Sequence, residues 1–211
     1  HRRRCDGRRH RRLVRGPGRR VISVQNGNQY LSPFPEDAFI FAAVGYDGQV
    51  GTSDDIQIVA NPWIWSTSNN GFDFTSRLVD RINRRLNSQV AFVFAAGDGA
   101  PGYGTLALPM PTSGIVVGAS ALYDQSGIYE PISSAQQIVG GDPLPSSGRG
   151  PGFNGNVGVD VIATGEGPAS LVLNTNPFLD GSVATTTFSG TSMAASVAAG
   201  NLALIFQAWK E

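Results

Sequence analysis

Three short apolar runs restrict what this chain can fold into more than any other feature of it. Residues 90–96 (VAFVFAA), 115–120 (IVVGAS) and 157–164 (VGVDVIAT) are rich in β-branched or aromatic side chains, and the first is bounded by Gly97. This is the mark of strands covered on both faces. Ahead of the first run, TSRLVDRINRRLNSQ sets Leu78, Val79, Ile82 and Leu86 at i, i+1, i+4 and i+8, with Arg77, Arg81, Arg84 and Arg85 elsewhere. That spacing predicts an amphipathic helix. A helix between buried strands predicts a layered α/β domain with a largely parallel sheet. In such sheets ligands meet the carboxyl ends of the strands. The candidate positions are therefore Gly97-Asp98-Gly99, Ala119-Ser120 and the loop leading to Ser192.

The remaining segments are less decided. Residues 20–24 read as a strand closed by the turn Gln25-Asn26-Gly27, and EDAFIFAAV at 36–44 fits strand or helix. GYDGQVGTSDD is a Gly and Asp loop whose spacing does not match the twelve-residue calcium pattern, so it reads as a solvated turn. IQIVANPWIW reads as a buried strand interrupted or ended at Pro62. No internal repeat is evident.

With 211 residues, 41% of them hydrophobic, the chain suits one globular domain, and no unbroken apolar run nears the ~18 residues of a membrane span. Its formal charge of zero hides an asymmetry. Ten of the sixteen Lys+Arg lie in residues 1–20, HRRRCDGRRHRRLVRGPGRR, leaving residues 21–211 with fifteen acids against six bases. An acidic body is a poor partner for nucleic acid, and neither nucleic acid nor membrane is expected as a partner. The Arg-rich stretch is open to several readings: a disordered tail, a nucleic-acid arm, a targeting segment or sequence from a shifted frame. The one cysteine, Cys5, lies there too, so no intrachain disulfide forms and compartment is not readable from cysteine usage.

Two motifs need context. GDGAPG at 97–102 satisfies G-x-G-x-x-G after a strand, but YGTLALPMPTSG does not read as the helix that must receive a pyrophosphate. Gly190-Thr191-Ser192-Met193-Ala194 nears a nucleophile elbow, yet no histidine follows it. On its own, Ser192 reads as part of a small-residue helix start capped by Ser189, Thr191 or Ser192. The longer string FSGTSMAASVAAG, however, resembles the serine block of the subtilisin-like serine proteases. Three further segments agree in order: AFVFAAGDGAPG, PTSGIVVGAS and SSGRGPGFNGNVGVDVIATGE. The resemblance spans residues 16 to 211.

The resemblance implies a three-layer α/β/α domain over residues 21–211, an incomplete one, preceded by the Arg-rich residues 1–20. It implies peptide-bond hydrolysis through an acyl-enzyme on Ser192, whose backbone N–H helps hold the oxyanion. Asp98 stands at the oxyanion-hole position where the family has Asn, and a carboxylate there faces a developing negative charge. A protonated Asp98, a state that burial favours, would donate instead. The family's His and Asp blocks are missing: the histidines are His1 and His10, outside any matching motif, and Asp6 likewise lacks its context. The expectation is a fragment, inactive alone. The alternative is a non-catalytic, peptide-binding domain, favoured by Asp98, by Ser196 in place of a helix Pro and by Pro62 in the substrate-pairing segment. No cofactor is required; structural calcium occurs in the family, with no site assignable here. The substrate would be protein or peptide, and secretion is implied. Oligomeric state is left open.

Overall fold

The computed structural model describes residue 22 and residues 35–122, 130–133, 136–138, 141–172 and 183–210. The strand expected at residues 20–24, the Arg-rich stretch and Cys5 thus lie outside the described residues, Ile22 excepted. Residues Phe39–Glu211 form a compact unit that holds the sheet.

Helix α1 (Pro35–Val44) settles the ambiguous segment. Pro35 starts it with a preset φ, Glu36 and Asp37 sit in its first turn, and its buried residues Phe39, Ala42 and Ala43 recur at helical spacing while Ile40 stays exposed. Strand β1 (Ile58–Asn61) stops at Pro62, as expected. Helix α2 (Phe74–Arg81) begins where Asp73 accepts the Ser76 N–H, and it continues as a π-helical turn, Ile82–Leu86. Strands β2 (Ala91–Ala95) and β3 (Ile115–Ser120) follow, then the antiparallel pair β4 (Glu130–Ser133) and β5 (Gln136–Ile138). Strand β6 (Val161–Thr164), the antiparallel pair β7 (Glu166–Val172) and β8 (Val183–Ser189), and helix α3 (Thr191–Lys210) complete the order.

Strands β1, β2, β3 and β6 form one parallel sheet in that order, with Val93 opposite Ile115 and Ala119 opposite Ala163. Its two faces are filled differently. On one, Val93, Ala95, Val117 and Ala119 meet Ala194, Ala195 and Ala199 of α3. On the other, Phe92 and Phe94 meet Phe39 and Ala43 of α1 with Val79 and Ile82 of the second helix, the Phe39 ring edge-on to both. This is the α/β/α layering expected.

Two expectations change. The third run is a strand only over its last four residues, because it forms the sheet's edge: Val157 is 92% exposed, and Val161 and Ile162 are about half exposed. A fully covered strand needs a neighbour on each side as well as a layer on each face. Helix α3 is also long and apolar enough, by length and composition, to cross a membrane, although no unbroken apolar run marks it. Its alanines near the start lie against the sheet, while Leu204, Ile205 and Trp209 are exposed.

The Asp loop after α1 is held by its own amides. Asp54 accepts the Tyr46 N–H at 2.6 Å, the Asp47 N–H at 3.2 Å and the Thr52 hydroxyl at 2.6 Å, while Asp55 accepts the Gly51 N–H and the Asn87 amide. No group of three or more His, Cys, Asp or Glu fit to hold a metal occurs among the described residues. The Thr52 hydroxyl foremost, then the Tyr46 amide, hold the Asp54 carboxyl below its ordinary range. A folded-state value below the unfolded one contributes stability above the unfolded range, and that stability is lost as pH falls through the folded value. Wild type should therefore exceed Asp54→Asn in stability at neutral pH, with the gap closing on acidification. Denaturant titrations at several pH values would read this, and a gap of constant size would show that the charge is not what holds the loop.

Candidate active site

Helix α3 starts where three strands end. The chain leaves β2 through Ala96 and Gly97 to Asp98, leaves β6 at Gly165, and leaves β8 through Gly190 into Thr191. The Gly190 N–H donates to the Gly165 carbonyl at 2.7 Å, and the Gly165 N–H to the Ser120 carbonyl at 2.9 Å. Gly190 has φ +126°, a conformation open to glycine, and its own carbonyl accepts the Met193 N–H.

Thr191 is fully buried and carries most of the joint. Its Oγ1 accepts the Gly97 N–H at 3.0 Å, its backbone N–H donates to Asp98 Oδ1 at 2.9 Å, and its hydroxyl lies 3.4 Å from Asp98 Oδ2. The side-chain cap of α3 therefore comes from Asp98, 93 positions away, and not from Ser189, Thr191 or Ser192 as the sequence suggested. A carboxylate at a helix N-terminus satisfies an orphan amide and complements the dipole.

Ser192 follows, half-buried in the first turn. No acceptor among the described residues takes its N–H, so that donor faces outward at the positive helix end. Its carbonyl accepts the Ser196 hydroxyl at 3.1 Å, the i to i+4 contact open to Ser at a position where a Pro was expected. Asp98 and Ser192 are thus brought to one helix end, as the motifs paired them. Asp98 is exposed, and its oxygens serve as acceptors. His1, His10 and Asp6 lie outside the described residues.

The other candidate positions are structural. Ser120 is buried and its carbonyl anchors Gly165. The loop at 97–102 opens no helix, in keeping with the rejected dinucleotide reading. Gly97 is required there for space as well as for its φ of +89°, since a Cβ would stand 2.4 Å from that of Ala107. Beyond Pro62 the Trp65 N–H donates to the Leu108 carbonyl at 2.7 Å and the Leu108 N–H to the Ser66 carbonyl at 2.8 Å, so this segment uses its hydrogen bonds internally. Sequence reasoning missed Thr191 as the joint; its place beside Ser192 was the available signal.

The family model of the subtilases matches residues 26–211. The chain belongs to the subtilase family. No curated protein matches it. For a subtilase, a parallel sheet with helices on both faces is the expected frame.

Replacing Thr191 with Val keeps the volume but leaves the buried Gly97 N–H without its acceptor. The expected cost is about 1–3 kcal/mol of stability in urea titration, with Thr191→Ser retaining most of it. Equal stability of Thr191→Val and wild type would show that the joint does not depend on this hydroxyl.

Proposed function

We propose that this subtilase domain hydrolyses peptide bonds by nucleophilic attack of Ser192 Oγ on the scissile carbonyl. The observation that carries the reading is the free Ser192 N–H at the first turn of α3, next to residue 98. As the carbonyl oxygen becomes an anion, this N–H and the helix dipole stabilise it. The acyl-enzyme then forms on Ser192 with expulsion of the amine, and water releases the acid. A general base must take the hydroxyl proton. By this reading the family's His and Asp come from outside these 211 residues, and the chain alone turns over negligibly. The chemistry needs no cofactor, the substrate is protein or peptide, and secretion belongs to the same reading on the strength of the family alone.

A non-catalytic, peptide-binding role is the second reading. It is favoured by Asp98, whose oxygens are acceptors where a donor is needed, and by Pro62, which has no N–H to offer an adding strand.

The test is a fusion of this chain behind a subtilase segment bearing the Asp and His blocks, assayed with a fluorogenic peptide and a fluorophosphonate probe. Cleavage and labelling are expected, both lost in Ser192→Ala. Asp98→Asn keeps an oxygen for the Thr191 N–H and gains a donor, so kcat should rise, by as much as roughly 10²–10³, the scale of such a donor in subtilisin. A fusion no faster than its Ser192→Ala variant would leave the binding role standing, and unchanged kcat in Asp98→Asn would remove residue 98 from the oxyanion site.

A further inference from the structure

On the sheet's open side, beside β6, lies a cleft of about 590 Å³ whose walls include Tyr103, Pro143, Arg149, Pro151, Val157 and Ile162. The size is that of a ligand site. Most of the lining is apolar, and Arg149 is its one charged residue. Among the described residues Arg149 is also the one arginine that is not exposed, and the contacts shown for residue 149 run through its backbone. Residues 21–211 hold fifteen acids against six bases. Withdrawing a cation from part of its water makes an anion beside it more favourable than in bulk solvent.

We infer that this cleft binds the carboxylate of a peptide through Arg149, with the neighbouring apolar walls taking an adjoining hydrophobic side chain. A guanidinium matches a carboxylate in a two-pronged hydrogen bond. A single cation with apolar surroundings suits a monoanion, whereas a phosphate dianion calls for further donors. Tyr103, 86% exposed, offers a ring to a peptide and a hydroxyl to water. The cleft adjoins the serine site through its lining residue Gly148, whose N–H donates to the carbonyl of Gly97, the residue before Asp98. The inference rests on the peptidase reading only for the occupant being a peptide. Binding is read without turnover, so an inert Ser192 would leave it intact.

The experiment is calorimetric titration of the full chain with four peptides: acetyl-Phe-Asp-amide, acetyl-Phe-Asn-amide, acetyl-Phe-Ala with a free carboxylate, and acetyl-Phe-Ala-amide. A carboxylate peptide should bind about tenfold tighter than its neutral counterpart, the advantage shrinking in high salt. The Asp/Asn comparison reports a side-chain carboxylate, and the acid/amide comparison a chain terminus. Arg149→Gln should abolish the advantage and Arg149→Lys keep part of it. The hydrogen bonds of residue 149 with Thr105 run through its backbone, N–H to the Thr105 hydroxyl and carbonyl to the Thr105 N–H, so these substitutions leave them in place. Val157→Asp, at a 92% exposed lining position, should repel the same peptides. Absence of binding, equal affinity within each pair, survival of the advantage in Arg149→Gln, or displacement by inorganic phosphate at lower concentration than the peptides would overturn the assignment.

Discussion

Two segments separated by more than ninety positions meet at Thr191, and the geometry around the start of α3 depends on that meeting. The hydroxyl holds the amide of Gly97 at the end of β2, and the backbone N–H is held in turn by Asp98. Both contacts are short and one is fully buried, so the exit of β2 and the start of α3 are fixed as one unit. The Ser192 N–H is aimed by the same unit, because the second residue of a helix has no freedom once the first is pinned. Residues 98 and 192 are thus set by the exit of β2 and the start of α3.

The small residues around Ser192 follow from the same arrangement. For α3 to begin at the strand ends it must run close over the sheet, and Ala194, Ala195 and Ala199 are what fit against Val93, Ala95, Val117 and Ala119. The opposite face has no such demand and is filled with rings: Phe39, Phe92 and Phe94 keep α1 and α2 farther off. One sheet thus carries a thin layer where chemistry must approach the backbone and a thick layer where only burial matters. Burial of the large side chains supplies most of the apolar stabilisation, at roughly 25 cal/mol per Å² removed from water, while the thin layer gives up some of that area for position.

How far the sequence foretold this differs from element to element. Strands β2 and β3 were legible because burial on both faces leaves an unbroken apolar run. The run at 157–164 carries the same letters but lies at the edge, and edge position is a property of the sheet that no local window contains. Helix α1 was ambiguous because alanine and aromatic residues suit either period over nine positions; the buried set Phe39, Ala42 and Ala43 decided it. At the start of α3, the motifs singled out Ser192 and Asp98 as candidates, while the bond between Asp98 and the helix was not legible, since it arises only when distant segments close.

That bond also explains why a carboxylate at position 98 is tolerated. An acidic cap on an orphan helix amide is worth about 0.5–2 kcal/mol to the fold. The same charge opposes a second anion nearby, and two unit charges about 4 Å apart repel by about 1 kcal/mol in water and about 4 kcal/mol near a protein surface. Asp98 is exposed, so the lower part of that range applies while the site is open to solvent. A bound peptide that excludes water would move it toward the upper part. If hydrolysis runs at Ser192 as proposed, the carboxylate favours the empty fold and opposes the transition state, and the balance between the two turns on how completely a substrate covers residue 98.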